Sequence, residues 1–437
     1  MPHPLTELKV STVRKEHGNG AAHLRADVCV VGAGAAGASA AIESARLGRD
    51  VVLVDALPVL GGQMVNSLIG LFCGVFGNAP ERRRLTYGIF DDIFRDLGAT
   101  GDLYFNEGHT MTVFYDEVAL GRWLEATVAA LGIRVITGAV IRRVGLDDGR
   151  VRGLTLATRF GDVTIDATGY VDASGDAALT WEAGLPCRVP ERPIYGSQQA
   201  VVERVDEAHR PEPAEITALL GERADRYGLP RRDGLAFFFP GRGTAVLNMT
   251  HIAAPLDAVT ASAAQLDGKA QVDRVLAFLR DAFPRAFGDA RVRAYGFPGR
   301  RQARWIAAAH QLSTDEVRAG TRFPDAVART AWPIELHDRA DGFVWEMFGP
   351  DHVHYVPLRA MLPPDADNLV AAGRCVDGDA AALSSVRVMG PCVAMGAGAA
   401  HALDLAGTGS LHDVDAAALT ARLAANLGEP VPERSAP

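Results

Sequence analysis

The order of apolar and polar positions predicts a βαβ unit near the start of the chain. A short apolar run ends at Val31 and suits a strand that is buried on both faces. A glycine-rich turn follows, and then an alanine-rich stretch to Leu47 that favours a helix. After Gly48, a second apolar run leads to Asp55 and predicts another buried strand. Together these segments have the pattern of a βαβ unit.

The same α/β pattern continues, is interrupted and then returns. A helix over residues 117–131, a strand over 133–136 and a hairpin over 151–167 are predicted first. Six prolines between residues 186 and 230 then break the pattern, and short strand-like runs follow them. A strand near residues 368–372 and a long helix over 391–405 restore the α/β character. The predicted parts are a flexible arm (1–25), a discontinuous α/β domain (26–180 and 365–425), an inserted α+β cap domain (181–364) and a polar tail (426–437).

The turn between the first strand and helix carries the sequence G-x-G-x-x-G. Gly32 permits the tight turn, Gly34 lets the backbone approach a pyrophosphate, and Gly37 lets the helix lie close to the sheet. Asp55, about 20 residues farther on, can accept a hydrogen bond from a ribose hydroxyl. Because a strand precedes the motif and a helix follows it, we predict a Rossmann-like dinucleotide site.

Two further glycine pairs refine this prediction. Gly396 and Gly398 lie within the predicted C-terminal helix with no strand before them, so we assign them to helix packing and expect one nucleotide fold. Gly61 and Gly62 follow Asp55, where the backbone must pass close to a bulky group. A flavin nucleotide needs such a passage, whereas a nicotinamide nucleotide has no evident need for it.

Composition narrows the class of protein. Basic residues number 44 and acidic residues 53, so the net charge of −9 disfavours nucleic-acid and anionic-membrane partners. The five cysteines are scattered without a C-x-x-C pair, which argues against thiol redox chemistry and zinc sites. No apolar run approaches 18 residues, and the first 25 residues lack the apolar core of a signal peptide. We therefore expect a cytoplasmic enzyme.

Several separated segments resemble one known family in the same order along the chain. The segments are residues 32–37, 61–62, 171–176, 299–304, 312–317, 323–326, 355–359, 368–375 and 385–389. They are similar to the FAD-dependent oxidoreductase family, which is related to the glutathione-reductase-type FAD fold. The resemblance implies an α/β Rossmann-like FAD-binding domain with an inserted α+β substrate or cap domain. It covers residues 27–405 and leaves the reaction open.

The resemblance also implies a set of cofactor contacts. Val140 would contact adenine through its backbone, and Val388 and Met389 would open a helix whose N-terminal amides face the flavin O2 and stabilise the anionic reduced ring. The implied FAD contacts are Gly32, Gly34, Ala36, Gly37, Asp55, Ala56, Gly61, Gly62, Gln63, Met64, Val140, Ser174, Gly175, Gly373, Arg374, Val388 and Met389. We expect non-covalent FAD, with a cysteinyl link at Cys73 as the alternative, and no metal.

The chain departs from the family between Cys375 and Ser385. Members often carry histidine and glutamate there, near the flavin, whereas this chain has only Asp377 and Asp379 as ionisable residues. A base must therefore come from elsewhere. Histidine suits that role because its pKa lies near neutrality.

The candidates for the chemistry lie in the cap segment. We predict His337 and His354 as the preferred bases, with Glu335 as a base or an orienting group. Arg304, with Arg300 and Arg301, could hold a substrate carboxylate. For each of these residues an ordinary structural role is the competing interpretation.

Three functions remain open on the sequence. The first is oxidation of a small organic molecule, possibly in bacterial secondary metabolism, by hydride transfer to flavin N5, with dioxygen or an external acceptor removing the electrons. The second is monooxygenation with transient NAD(P)H and dioxygen. The third is a non-catalytic FAD-binding protein. Substrate identity and oligomeric state do not follow from the sequence.

Overall fold

Twenty strands and thirteen α-helices form the part of the chain that the computed structural model describes, residues 10–12, 22–78, 83–108 and 110–428. The strands are β1 (Ala22–Val31), β2 (Val51–Asp55), β3 (Leu71–Phe72), β4 (Leu103–Asn106), β5 (Thr112–Tyr115), β6 (Arg134–Thr137), β7 (Val140–Asp147), β8 (Arg150–Thr158), β9 (Gly161–Asp172), β10 (Cys187–Arg188), β11 (Ala200–Glu203), β12 (Leu235–Phe239), β13 (Thr244–Asn248), β14 (Arg291–Tyr295), β15 (Trp305–Ile306), β16 (Ala326–Thr330), β17 (Ile334–Leu336), β18 (Val344–Glu346), β19 (His354–Pro357) and β20 (Leu369–Ala371). The helices are α1 (Ala35–Arg46), α2 (Gly62–Asn66), α3 (Ile89–Ala99), α4 (Glu117–Ala130), α5 (Ala178–Glu182), α6 (Pro213–Arg223), α7 (Ala258–Ala282), α8 (Pro284–Phe287), α9 (Thr314–Ala319), α10 (Ala380–Val386), α11 (Met389–Ala406), α12 (Ala416–Arg422) and α13 (Ala424–Leu427).

The central sheet confirms the predicted α/β, Rossmann-like fold. Strands β6, β2, β1 and β9 lie side by side and parallel, and β20 pairs in parallel with the second half of β9. The first half of β9 instead continues through β8 to β7 as an antiparallel hairpin. The last four residues of β1 and the first four of β2 are apolar because they are buried on both faces, with one face against α1 and the other against residues of β8 and α5. The carboxyl ends of the parallel strands, at Val31, Asp55, Asp172 and Ala371, meet at one edge of the sheet.

The two ends of the chain differ from the prediction. The predicted arm is wrong at its end, because Ala22 to Arg25 already belong to β1 and pair with Val163 to Asp166 of β9. Alternate side chains of this segment face solvent, so its sequence is polar although its backbone is in the sheet. The predicted tail is wrong at its start, because Asn426 is buried and its Oδ1 accepts a hydrogen bond from Tyr87 N at 2.7 Å. Residues 1–9, 13–21 and 429–437 lie outside the described residues.

Helices α1 and α11 pack against each other with almost no space between them. A Cβ atom added at Gly396 would lie 2.1 Å from the carbonyl oxygen of Ala36 and 2.8 Å from Cβ of Ser39. The Ser39 hydroxyl donates a hydrogen bond to Val393 O at 2.8 Å. The second glycine, Gly398, faces Val327 of β16 in the same close way. Helix packing is therefore the role of this glycine pair, as predicted.

The segment over residues 181–364, called the insertion below, contains both strands and helices and divides between two cores. Sheet β12–β13–β11–β14 packs under α6, α7 and α8 and forms a core of its own, with Phe278 and Phe287 fully buried. From Trp305 onward the insertion instead packs into the main core, where β16 contacts α11. The proline-rich composition marks where the insertion starts but not which core its later strands join.

Neither an unbroken membrane-spanning helix nor a metal-binding cluster occurs among the described residues. No single helix there is both long and apolar enough to cross a membrane, although the bent pair Ala380–Val386 and Met389–Ala406 (88°) meets the criteria of length and composition. No group of three or more histidine, cysteine, aspartate or glutamate residues among them could hold a metal ion.

The contact between α1 and α11 gives a test of stability. Gly396→Ala places a methyl group against backbone of α1, so we expect it to lower the free energy of unfolding by about 1–3 kcal/mol. Gly98→Ala, in α3, is the matched control, because a Cβ atom there meets nothing within 4 Å. Chemical denaturation should show the control unchanged or stabilised by up to about 1 kcal/mol. Equal effects of the two substitutions would contradict the packing role of Gly396.

Candidate active site

One large cavity, of about 1290 Å³, lies at the carboxyl edge of the parallel sheet. The strand ends Val31, Asp55, Ala173 and Ala372 form its floor, and the insertion forms its opposite wall. Open α/β sheets bind ligands at this edge because the strand order changes direction there. Its volume exceeds the 300–1,000 Å³ usual for drug-sized ligands, so it offers space for a dinucleotide together with a small substrate.

The glycine turn forms a close cradle at one end of the cavity. Gly32 has a φ of +99°, and a Cβ atom added at Gly62 would lie 2.7 Å from Cα of Gly34. At Gly34 the situation is reversed, because an added Cβ atom would meet no protein atom closer than 3.9 Å and would project into open space. Helix α1 begins here without a side-chain cap, so its first amides are available to a phosphate.

Asp55 closes the second side of this cradle. Its carboxylate accepts hydrogen bonds from Ala33 N at 2.6 Å and from Leu57 N at 2.7 Å. Burial raises the pKa of Asp55 and outweighs these two hydrogen bonds, which lower it. Each carboxylate oxygen keeps a second lone pair with which to accept a ribose hydroxyl.

The carbonyl oxygen of Arg300 joins the sheet domain to the insertion. Gln63 Nε2 donates to it at 3.0 Å and Arg374 Nη1 at 2.6 Å. The Arg374 guanidinium also lies against Gly175, where an added Cβ atom would be 2.1 Å from Nη2. Two predicted cofactor residues from distant parts of the chain thus meet at one carbonyl group of the insertion, and a third, Gly175, packs against one of them.

The amino end of α11 reaches the same cavity. Val388 is the N-cap residue, no side chain caps this end, and Val388 and Met389 line the cavity. The helix begins against backbone, since Gly390 N donates to Cys73 O at 2.9 Å. A second helix N-terminus therefore brings its positive dipole to the cavity.

All but two of the predicted cofactor residues line this cavity. Those that do are Gly32, Gly34, Ala36, Asp55, Ala56, Gly62, Gln63, Met64, Val140, Ser174, Gly175, Gly373, Arg374, Val388 and Met389. Gly37 and Gly61 instead allow close packing within the protein, against Gly32 O and the Val65 side chain. The uncapped helix, the glycine cradle and Asp55 fit the ADP half of FAD.

Glu335, on β17, presents its carboxylate to the cavity from the insertion. Trp332 Nε1 donates to its Oε2 at 3.1 Å, and His337 Nε2 lies 2.9 Å from its Oε1. Burial alone would raise the pKa of Glu335, but His337 and the charges of Arg387 and Arg301 outweigh it and hold that pKa well below its usual range. The side chain is therefore a carboxylate at neutral pH.

His337 stands behind Glu335 rather than in the cavity. It is 1% exposed, and its Nδ1 lies 2.9 Å from Nε2 of His251, whose own Nδ1 contacts Ala340 O at 2.9 Å. Burial, together with the charge of Arg301, lowers the pKa of His337 to about 2. No histidine among the described residues lines the cavity, so the carboxylate, and not an imidazole, faces a ligand.

The other two predicted catalytic residues lie elsewhere. His354 is fully buried and contacts Ser385 Oγ at 2.8 Å and His352 at 3.1 Å, away from the cavity lining. Arg304 donates to Asp176 O at 2.8 Å, and its guanidinium stacks over the Trp181 ring. Neither side chain lines the cavity. The packing of the insertion directs His354 toward Ser385 and Arg304 toward Trp181.

Neither aspartate of the divergent segment serves as a replacement base. Asp377 is fully buried, pairs with Arg188 and accepts a hydrogen bond from Ala308 N at 2.8 Å. Asp379 caps α10 and accepts from Thr314 N and Oγ1. Both carboxylates hold the backbone of this segment in place.

Cys73 does line the cavity, as the alternative of a covalent flavin requires. Burial, with the charge of Glu335, raises the pKa of its thiol well above the usual value. A high pKa disfavours the thiolate, which is the nucleophilic form.

The most important residue that the sequence analysis left without a role is Arg387. It lies in a segment that carries the family resemblance, lines the cavity and donates to Glu335 O at 3.0 Å. Its Nε is buried and has no hydrogen-bond partner in the described part of the chain. Its place directly before the predicted helix start was the available signal.

The chain belongs to the FAD-dependent oxidoreductase family, whose sequence pattern matches residues 27–423. FAD is accordingly its cofactor, and the site described above contains the residues to hold it.

No curated protein matches the sequence. Among solved structures, the chain is similar to a geranylgeranyl bacteriochlorophyll reductase-like protein from Thermoplasma acidophilum, with 14% identity, a TM-score of 0.47 and coverage of 88% of this chain and 78% of that one. It is also similar to the flavin-dependent brominase Bmp2, with 14% identity, a TM-score of 0.46 and coverage of 91% and 82%. A third is the anhydrotetracycline hydroxylase OxyS from Streptomyces rimosus, with 14% identity, a TM-score of 0.43 and coverage of 88% and 61%.

Gly34 provides a direct test of the dinucleotide cradle. Gly34→Val adds a side chain that meets little protein but projects toward the bound pyrophosphate. We expect at least a tenfold loss of FAD affinity with an unchanged circular dichroism spectrum. The flavin-to-protein absorbance ratio after gel filtration measures the loss, and Gly98→Ala serves as control. Full FAD retention by Gly34→Val would show that the phosphates bind elsewhere.

Proposed function

We propose that this protein dehydrogenates a small organic molecule, with Glu335 as the base that accepts the proton. The observation that supports this role most directly is the position of Glu335. Both Glu335 and Glu212 of the cap segment line the cavity, and the Glu335 carboxylate has His337 hydrogen-bonded behind it. A catalytic base needs to be within reach of the substrate, and the predicted histidines are not.

The reaction divides the two hydrogens of the substrate between cofactor and protein. FAD, when bound, supplies an acceptor for the hydride at its N5 position. The substrate carbon that loses the hydride lies next to oxygen, nitrogen or a second carbon, and the proton of that neighbour passes to Glu335. Dioxygen or an external acceptor then takes the two electrons, so the cofactor returns to its oxidised state.

His337 and Trp332 orient the base. Each donates a hydrogen bond to one oxygen of the Glu335 carboxylate, so the side chain keeps one position. His251 in turn contacts His337. This support leaves one lone pair on each carboxylate oxygen for the substrate. The two uncapped helix starts, of α1 and α11, would stabilise negative charge on a bound cofactor.

An anaerobic substrate screen tests the proposed reaction. We expect the flavin absorbance to bleach with the correct substrate alone, because the substrate is the electron donor. Bleaching by NAD(P)H alone would instead support a monooxygenase. Flavin that neither donor class reduces would support a non-catalytic FAD-binding protein.

The role of Glu335 has its own test. Glu335→Gln keeps the shape and the Trp332 hydrogen bond but cannot accept the proton, so the rate of flavin reduction should fall about 10²–10⁴-fold. FAD content should not change. Glu346→Gln is the matched control, because Glu346 lies on the adjacent strand and pairs with Arg318 outside the cavity. A reduction rate within threefold of wild type for Glu335→Gln would contradict the assignment.

The pH dependence follows from the two lowered pKa values. The Glu335 carboxyl group stays ionised and the His337 imidazole stays neutral until the pH falls far below neutrality. We therefore expect kcat/KM, which reports the free enzyme, to show no acidic limb between pH 5.5 and 8. The pH profile measured with the substrate from the screen checks this expectation. An acidic limb near pH 6.5, the ordinary pKa of histidine, would show that an unshifted imidazole is the base.

A further inference from the structure

The cap wall of the cavity carries more buried positive charge than negative charge. Arg231 and Arg387 both act on Arg301, and the carboxylates that act on these three arginines are Asp233 and Glu335. Arg301 belongs to the insertion, Arg231 lies behind the cavity lining, and Arg387 comes from the segment before α11. Arg231 and Arg301 are 2% and 8% exposed. Three guanidinium groups against two carboxylates leave one positive charge without a partner. Burial of such a charge is unfavourable unless an anion accompanies it.

The histidines of this wall do not change the balance. Burial and the neighbouring arginines lower the pKa of His251 to about 3 and that of His337 to about 2, so both are neutral at physiological pH. Arg301 itself stays charged, although burial and the charge of Arg387 lower its pKa to about 9. The excess charge thus belongs to the arginines.

Two of the arginines face the cavity and have hydrogen-bonding capacity left. Arg301 donates to Tyr195 O at 2.8 Å and to Ser197 Oγ at 3.0 Å, which uses two of its five N–H groups. Arg387 donates one hydrogen bond to Glu335 O, and its buried Nε has no partner in the described residues. Arg231 is different, because it is paired with Asp233 and lies outside the cavity lining.

The dinucleotide end of the cavity has separate positive groups for the phosphates. Arg374 lies against Gly175, and the uncapped start of α1 is at Gly34. The Arg301 side chain is instead anchored on Tyr195 and Ser197 of the insertion. Arg301 therefore lies on the side of the cavity that the insertion forms, whereas Arg387 interacts electrostatically with both Arg301 and Arg374.

Aromatic rings form the rest of this wall. Trp332 and Trp345 meet edge to face with centroids 5.7 Å apart, and Phe343 meets Trp345 at 5.9 Å. All three line the cavity beside Glu335, on and next to the hairpin formed by β17 and β18. Such a surface suits a flat apolar body.

We propose that the substrate is a flat, apolar organic acid whose anionic group binds to Arg301 and Arg387 beside Glu335. This inference rests on the proposed function, because it names the class of molecule oxidised there. A guanidinium fork holds a carboxylate through two parallel hydrogen bonds and so fixes its orientation. The aromatic wall then holds the apolar body within reach of the base.

Binding of the anion also prepares the base. The charges of Arg387 and Arg301 are among the causes that hold the pKa of Glu335 low in the free protein. An anion bound to both arginines offsets these charges, so the Glu335 pKa rises toward the working pH. A carboxylate with a higher pKa accepts a proton more readily. Substrates that lack the acidic group would therefore react slowly even when bound.

The test uses oxidised holoenzyme, with benzoate and benzamide as a charged and a neutral probe of the same shape. Titration of each probe is followed by the change in flavin absorbance. We expect benzoate to perturb the flavin with saturation and to bind at least tenfold more tightly than benzamide. Equal binding of the two probes, or no perturbation by benzoate, would overturn the proposal without any variant being needed.

Variants then locate the anion. Arg301→Gln should weaken benzoate at least tenfold and leave benzamide unchanged, whereas Arg301→Lys should lose only part of the affinity because it keeps the charge. Arg304→Gln is the matched control, since Arg304 stacks on Trp181 outside the cavity. If Arg301→Gln does not fold, Arg301→Lys and the comparison of the two probes still decide the question. Unchanged benzoate affinity in both Arg301 variants would overturn the assignment.

A third measurement distinguishes the two anions that the arginines could bind, namely a substrate acid and the reduced flavin. If the two arginines serve only the reduced flavin, Arg387→Gln will lower the flavin reduction potential and leave benzoate binding unchanged, and that result would overturn the proposal. We expect benzoate binding to weaken. The benzoate measurements involve no turnover. They can therefore fail while the anaerobic substrate screen succeeds, and the screen can fail while they succeed, so the two failures are distinguishable.

Discussion

The close contact between α1 and α11 is the constraint on which the rest of the site depends. Gly396 lets the backbone of α11 approach the backbone of α1 at Ala36. Ala36 lies in the first turn of α1, and Gly396 lies about two turns from the start of α11. Both uncapped ends therefore open into the same cavity, at the carboxyl edge of the parallel strands. One end suits a diphosphate and the other suits negative charge on a reduced flavin. A bulkier residue at this contact would separate the two ends and with them the two halves of the cofactor site.

The insertion adds to the cavity the carboxylate and the aromatic rings that we propose act on a substrate. Its connection to the sheet domain is specific, because the Arg300 carbonyl accepts hydrogen bonds from both Gln63 and Arg374. The hairpin of β17 and β18 then carries Glu335 and the aromatic wall to the opposite side of the same cavity. Cofactor residues and the proposed substrate residues thus come from distant parts of the chain but share one space.

The dinucleotide half of the site could be predicted from the sequence because its signals are local. The turn at Gly32 and Gly34, with Asp55 after the next strand, follows from backbone geometry over about 25 residues. The catalytic half could not be predicted in this way, because the local sequences around His337 and His354 do not show whether either side chain faces the cavity. Which side chain faces the cavity depends on how the insertion packs. This packing places Glu335 in the cavity lining and His337 behind it. The polar start of β1 was missed for a similar reason, since only pairing with β9 identifies it as a strand.

Electrostatics links the two halves. The helix ends and the arginines of the cavity favour negative charge, and the Glu335 carboxylate lies close enough to Arg387 and Arg301 for their charges to lower its pKa. A permanently positive cavity would hold a reduced flavin well but would also hold the base in its least basic state. An anionic substrate resolves this conflict, because it offsets the arginines only while it is bound. The basicity of Glu335 then becomes a property of the complex rather than of the free protein. Selectivity for an acid would in this way be expressed in the rate of proton removal as well as in binding.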